Sequence, residues 1–295
     1  MTGASSPILC RPAGSVDTPG VLGLVKGIWG GDDYLPEVWE TWLADPNGVL
    51  AVAEWQGHIV GTGHLSDLGW GEAWLEGLRV APDLQGRGIG SRLHDYFVGR
   101  WLAGSSAVVR LLTHEHREAV KAMCARTGFE PIARVQFRSG RASQGAHSFE
   151  LAANISPGAF EDLTGRSTSQ ACAGLMDLGW ELAELTAQRL RHTPGLKIWS
   201  WRHGRGWLVT RRDPENPDPE ITLCAASGEE LPDLLSEARC LAHELGVEQV
   251  HWLAPDSPAI LEALDEAGFE TGDSPEFFLT YERRRRHRSQ RAGAR

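Results

Sequence analysis

Between Leu78 and Leu93 the chain reads LRVAPDLQGRGIGSRL. Glycines 86, 88 and 90 fall where a strand ending at Leu75–Val80 gives way to a helix, on which Ile89, Leu93, Phe97 and Trp101 recur every fourth residue as one apolar face. A helix N-terminus carries backbone N–H groups without intrahelical acceptors and the positive end of the helix dipole. With no Cβ at the three glycines an anion can come close to those N–H groups, and Arg87 adds charge beside them. The chemistry indicated is the cradling of a pyrophosphate. The spacing is Gln-x-x-Gly-x-Gly with Val80-x-Pro82 upstream. It differs from the dinucleotide fingerprint Gly-x-Gly-x-x-Gly and from the nucleotide loop that ends in Gly-Lys-Ser/Thr.

This run resembles motif A of the GNAT superfamily of acyl-CoA-dependent N-acyltransferases. The resemblance implies acetyl-CoA as co-substrate and no metal. Its pyrophosphate would be held by Gln85, Gly86, Arg87, Gly88, Ile89, Gly90 and Ser91, with Leu78 and Val80 on the preceding strand. That strand, Glu72–Val80, would splay from its neighbour to admit the pantetheine arm. The backbone N–H of Leu78 would polarise the thioester carbonyl, and a carboxylate on the strand would take the acceptor amine's proton. Period-2 geometry puts Glu72, Trp74, Glu76, Leu78 and Val80 on one face. Many members carry the glutamate at the position of Trp74, a departure in this chain. Glu76 is the preferred base, Glu72 the alternative on the same strand, and His64 or His114 the next groups in line.

Gly128-Phe129 resembles the end of motif B. Members often place a tyrosine five residues before that phenylalanine to protonate the leaving thiolate. Here the position is Cys124, which reads either as the acid or as a buried packing residue, with His114 and His116 as possible substitutes. The acceptor pocket implied by the resemblance is lined by Tyr34, Glu72 and Trp74. Trp39 and Trp42 read as pocket or, more simply, as core aromatics. A narrower similarity, over about residues 28–93, is to the animal histidine N-acetyltransferase branch. It rests on Gly30-Gly31-Asp32-Asp33-Tyr34-Leu35-Pro36, Trp42-Leu43, Asp45-Pro46 and Glu76-Gly77-Leu78-Arg79-Val80, and it implies a small, amino-acid-like amine.

The elements that must position these residues follow in order. Pro7–Pro12 is a short strand. Pro36 opens a helix carrying Trp39 and Trp42. Val49–Trp55 and His58–Leu65 form a hairpin about Gln56-Gly57. Ala107–Thr113 is a strand, Arg117–Arg126 a helix stopped by Gly128. Strands at Pro131–Arg138 and His147–Ala152 would close a first domain. After Asn154–Gln170, rich in Ser, Thr and Gly and read as a linker, the order repeats. Lys197–Arg202 and Gly206–Arg212 make a hairpin, Pro219–Ala226 a strand, Leu231–Leu245 a strong helical stripe, Val247–Leu253 a strand and Pro258–Ala267 a helix before Gly268-Phe269. Where the first half has its glycines, the second has Ala226-Ser227-Gly228-Glu229-Glu230-Leu231, whose acids would repel a pyrophosphate.

The expected fold is therefore α/β, of the α+β type, with two tandem GNAT-like domains, each a mixed central sheet flanked by helices. The expected divisions are a working domain over 1–153, a linker over 154–172, a degenerate copy over 173–284 and a basic, disordered tail over 285–295. The 295 residues suit two domains, and 41% hydrophobic with 23% charged residues is a globular composition. A net charge of −10 argues against nucleic acid as the main partner, although seven arginines lie in Arg283–Arg295. No apolar run reaches membrane-spanning length, and no basic-then-apolar leader opens the chain. Five scattered cysteines without Cys-x-x-Cys fit a reducing cytoplasm. Two functions fit these residues: transfer of an acyl group, acetyl by the resemblance, to a primary amine, or acyl-CoA binding by a catalytically silent sensor or scaffold.

Overall fold

A computed structural model describes residues 7–153, 155–165, 167–212, 220–272 and 275–285. They gather into two compact units whose segments interleave along the chain. Unit 1 holds the described residues of 1–111, 119–130 and 282–295, and unit 2 those of 112–118 and 131–281.

Unit 1 is built on strands β1 (Leu9–Pro12), β2 (Val49–Trp55), β3 (His58–Gly69), β4 (Glu72–Val80) and the first part of β5 (Val108–His114), adjacent in that order. The first four are antiparallel, and β5 runs parallel to β4. The β2–β3 turn has positive φ at both Gln56 and Gly57, the twist a two-residue hairpin requires. Helices α1 (Thr18–Val25) and α2 (Leu35–Ala44) share one cluster with Leu50 and Val52 of β2. The apolar stripe of α3 (Ile89–Ala103), Ile89, Leu93, Phe97 and Trp101, is fully buried. Each such side chain contributes roughly 1.5–3 kcal/mol. The helix comes this close because β3 is glycine-lined beneath it. A Cβ at Gly61 would lie 2.9 Å from Leu93, and one at Gly63 would lie 2.8 Å from Phe97. Helix α4 (Glu118–Thr127) ends at Gly128, where φ is +77°.

In unit 2 the sheet takes in β6 (Glu130–Arg141) and β7 (Phe149–Ala152). These were expected to close the first domain, yet β6 pairs with β13 and β7 with β10. Next come α5 (Pro157–Gly165) and α6 (Ser167–Ala171), the small hairpin β8 (Leu175–Asp177) and β9 (Leu182–Glu184), and α7 (Ala187–His192). The stretch read as a linker is thus folded. Ile155 and Leu163 are buried, and the Ser169 hydroxyl donates to the Leu163 carbonyl, so its polar residues serve the local backbone. Then follow β10 (Leu196–Trp201), β11 (Gly206–Arg211), β12 (Glu220–Gly228), α8 (Leu231–Glu244), β13 (Gln249–Pro255), α9 (Pro258–Glu266) and β14 (Phe277–Arg284). The α8 stripe, Leu234, Leu235, Ala238, Leu241 and Ala242, is fully buried. The last residues of β14 belong to unit 1. There Glu282 accepts from Arg110 Nε at 2.8 Å and the Arg285 N–H donates to the Ala107 carbonyl. The arginine-rich tail beyond Arg285 lies outside the described residues.

Candidate active site

The glycine loop of unit 1 has the form its composition requires. After a short turn at Pro82–Leu84, Gly86 and Gly88 adopt φ of +78° and +81°, and Gly88 is the N-cap of α3. A glycine cap offers no side-chain acceptor, so the first-turn N–H groups keep their capacity for an external anion. No heavy atom lies within 4 Å of a Cβ position at Gly86 or Gly88. Both positions look into open space.

The strand before it supplies the second feature. β4 pairs with β5 over three rungs, Glu72↔Val108, Ala73↔Val109 and Trp74↔Arg110. From Leu75 to Val80 that edge of β4 has no pairing in the register. On the other side the β3–β4 ladder slips by one residue between Thr62↔Arg79 and His64↔Glu76, a β-bulge at Gly77-Leu78. Gly77 has φ +63°, and a Cβ there would meet the Trp42 ring at 2.7 Å. The bulge breaks the period-2 alternation. Leu78 turns toward Phe97, with its Cδ1 within reach of a Cβ at Gly63. Glu76 and Arg79 stay opposite His64 and Thr62. The expectation that Glu76 and Leu78 share a face is therefore corrected: the extra residue puts them on opposite faces.

On the Glu76 face a polar cluster forms. His64 is buried and its Nδ1 lies 3.1 Å from Glu76 Oε1. Its Nε2 is 3.8 Å from Asp45 Oδ2 and has no hydrogen-bond partner among the described residues. The imidazole is stacked on Trp42 at 4.6 Å, and Trp42 meets Tyr34 edge-on at 6.3 Å. Arg79 grips Asp33 with Nε at 2.7 Å and Nη2 at 3.2 Å, and its guanidinium lies 5.2 Å from the Tyr34 ring centre. Asp33 also accepts from the Leu35 N–H, which joins this cluster to the start of α2. Although 41% of Tyr34 is exposed, desolvation raises the pKa of its phenol above the ordinary value, with Arg79 opposing. A Cβ at Gly48 would collide with the Asp45 carboxylate and lie 2.5 Å from His64 Nε2, so the turn after α2 needs its glycine. In the tautomer with the ring proton on Nε2, toward Asp45, His64 Nδ1 is the acceptor and can take a proton from Glu76.

Residues 24–129 match the model of the acetyltransferase (GNAT) family. Over the whole length, the fold is like that of the tandem GNAT protein from the clavulanic acid biosynthesis pathway. The TM-score is 0.54 at 15% identity, over 94% of this chain and 98% of that one. Residues 24–129 thus carry the GNAT acetyltransferase match, and the chain as a whole has the fold of a tandem GNAT protein. Part of it is similar to curated proteins. It is 38% identical over 77 residues to a human probable N-acetyltransferase 16, covering 26% of this chain and 21% of that protein. It is 34% identical over 79 residues to a Xenopus tropicalis histidine N-acetyltransferase, covering 26% and 24%. The chain thus spans about a quarter or less of the length of these curated relatives.

Within this chain the residues singled out from sequence fare differently. Gln85 to Ser91, with Val80 before them, surround the open α3 N-terminus as described. Tyr34 is exposed and Trp42 half-buried, both beside Glu76, while Trp39 is core and donates from Nε1 to Thr18 Oγ1 at 2.9 Å. Glu72 does not face an acceptor. It is buried and ion-paired with Arg110, whose Nε is held by Glu282. Trp74 is buried beside it, which removes both from the pocket lining expected of them. Cys124 is fully buried and burial pushes its thiol up to about 12, so it packs as a structural cysteine. His114 and His116 lie in unit 2 with Glu276. Sequence reasoning missed the pairing of His64 with Glu76 and Asp45, and of Arg79 with Asp33. The signal was the β3–β4 hairpin register, which a slip between Asp67 and Gly69 and the bulge at Gly77 together obscure.

Proposed function

We propose that unit 1 transfers an acetyl group from acetyl-CoA to the primary amine of a small, amino-acid-like molecule. The observation that carries this reading is the juxtaposition on one strand, β4, of an unpaired edge leading to the open α3 N-terminus and the Glu76–His64 pair at its bulge. The pyrophosphate is held by the N–H groups of Gly88 to Ser91, with Arg87 and Gln85 at the rim. The thioester lies along the β4 edge, with its carbonyl accepting from the Leu78 N–H. The amine nitrogen attacks the carbonyl carbon and gives its proton to Glu76, which can pass it to His64. The tetrahedral intermediate then collapses and the CoA sulfur leaves as thiolate. Water protonates that thiolate, because a thiol held up to about 12 at Cys124 binds its proton more tightly than an ordinary leaving thiol, near 8.5.

The acidic and aromatic lining, Glu76, Asp45, Trp42 and Tyr34, suits an ammonium-bearing acceptor. The names of the curated relatives agree with an N-acetyltransferase reading. Among the described residues no helix is long and apolar enough to cross a membrane, and the five cysteines are free, which favours a reducing cytoplasm.

Burial of Trp74 and Cys124, where many members have catalytic groups, favours a second reading: a protein that binds acyl-CoA without transfer. Thiol release from acetyl-CoA, followed with a panel of amino acids and diamines, separates the two. Sustained release that depends on one amine class supports transfer. CoA binding by calorimetry without amine-dependent release supports the silent protein.

A further inference from the structure

In unit 2 the end of β5 and the segment entering β14 bring three donor groups together. His114 closes β5, His116 follows in the next turn and Glu276 directly precedes β14. The Glu115 N–H donates to the Phe277 carbonyl at 3.0 Å, and the Arg117 N–H to the His114 carbonyl at 3.1 Å. The backbone is therefore set independently of the three side chains. Glu276 Oε2 lies 2.8 Å from His114 Nδ1 and 3.1 Å from His116 Nδ1. The donor atoms of all three residues lie within 4.8 Å of one another.

The contact between His114 and Glu276 is unusual. Its distance is that of a hydrogen bond, but Nδ1 of His114 is shielded from solvent and has no partner of hydrogen-bond geometry among the described residues. A buried imidazole nitrogen without a hydrogen-bond partner carries a desolvation cost. A cation between Nδ1 and the carboxylate would meet that need. The ring is held in place by Phe278, 4.3 Å away, so the nitrogen cannot turn freely to another acceptor.

We propose that His114, His116 and Glu276 form a binding site for a borderline-soft divalent transition-metal ion such as Zn2+. Two imidazole nitrogens and one carboxylate oxygen are a common donor set for zinc, at bond lengths of about 2.0–2.2 Å, with the remaining position taken by water. Mg2+ and Ca2+ prefer all-oxygen sites and are disfavoured by it. The ion would clip the β5–α4 turn to the segment that enters β14, and so stabilise unit 2 through mass action. This site has no part in the proposed transfer chemistry of unit 1.

The test uses the full chain stripped with a chelator and titrated with Zn2+, Co2+ and Mg2+. Calorimetry is expected to give one Zn2+ per chain and no response to Mg2+. The Co2+ complex is expected to show ligand-field absorption without thiolate charge transfer, and Zn2+ to raise the thermal unfolding midpoint. His116 has a side chain 57% exposed, so His116→Ala should fold normally. It should weaken Zn2+ binding at least about tenfold, since even second-shell changes at zinc sites cost that much. Glu276→Gln should act in the same direction. Absence of Zn2+ binding by the wild type would overturn the proposal. So would unchanged affinity in both variants, or a thiolate-type Co2+ spectrum that disappears when cysteines are replaced by serine.

Discussion

Both units contain the same device, and only one leaves it open. In unit 1, β4 and β5 pair over three rungs and part after Trp74↔Arg110. In unit 2, β12 and β13 pair in parallel over three rungs, Glu220↔Gln249 to Thr222↔His251, and then part. The unit 2 gap is filled by the chain itself. α6 and β8 pack against β12, and Asp177 on β8 accepts the Leu253 N–H of β13 at 2.9 Å, as well as those of Gly179 and Trp180. What remains is a narrow cavity lined by Cys172, Asp177, Cys224 and Trp252. The helix that follows differs in the same sense. α3 begins at a bare glycine cap, whereas α8 begins at Glu230, which is ion-paired with Arg202 and Arg205. In unit 2, therefore, acids occupy the helix start that unit 1 leaves to glycine. The gap beside it is occupied where β8 packs in and the Asp177 side chain takes the Leu253 N–H.

The largest effect should come from closing the open gap of unit 1. At Gly90 a Cβ would sit 3.6 Å from Val80, an ordinary contact, so Gly90→Ala should fold and retain some CoA affinity. Gly90→Glu should abolish CoA binding by placing a carboxylate against the pyrophosphate. Calorimetry on the wild type should give one CoA per chain. Two would mean that the filled gap of unit 2 opens, and the comparison would fail.

Next in size is the anchor beside the open gap. Arg110→Met takes the Arg110 guanidinium from buried Glu72, while Glu282 keeps Arg284, so it should destabilise the protein by about 3–5 kcal/mol in urea unfolding. A loss below ~1 kcal/mol would show that the pair is more hydrated than its burial implies.

Acid should separate the units. His94 on α3 is buried against Thr127, and burial lowers its pKa from 6.5 to about 4. The unfolded chain then binds the extra proton between those values. The stability this residue contributes is whole above pH 6.5 and is lost as pH falls toward 4, on the order of 3 kcal/mol. Asp177 in unit 2 behaves oppositely, because burial raises its pKa and the native state binds the extra proton as pH falls. Its contribution grows on acidification. Unfolding followed by hydrogen exchange from pH 7 to 4 should therefore show unit 1 weakening relative to unit 2. His94→Gln should flatten the unit 1 dependence.

The kinetic effect of the base comes last. Glu76→Gln should leave CoA affinity unchanged and lower kcat/KM about 10²-fold, with a smaller deficit at high pH where free amine is abundant. Full activity in this variant would shift the proton sink to His64.

Much of this was legible in the chain. The glycine loop, the hairpin at Gln56-Gly57 and the α3 stripe have strong local causes: positive φ, a two-residue turn and a four-residue apolar repeat. The repeated element order also predicted the tandem fold. Non-local facts were less accessible. Glu76 and Leu78 alternate in a regular strand, and only the bulge, set by Gly77 under Trp42, separates them. Glu72 reads as a free carboxylate until Arg110 and Glu282 come to it from 38 residues and 210 residues along the chain. The segment after Asn154 has a linker's composition because its few apolar residues, Ile155 and Leu163, suffice for helices that pack on a sheet already formed.

The late return of Glu282 to Arg110 has a consequence for synthesis. The two residues are separated by 172 positions. At about 5–20 residues per second on the ribosome, the chain carries Arg110 for on the order of ten to thirty seconds before its second carboxylate exists. During that interval unit 1 can form its β1–β4 hairpins and seat α3, but its β5 edge lacks the residues that complete it. Vectorial folding from the N-terminus therefore cannot finish unit 1 first. Nascent chains stalled before residue 282 should expose that edge to chaperones, and those extended past Arg285 should release it.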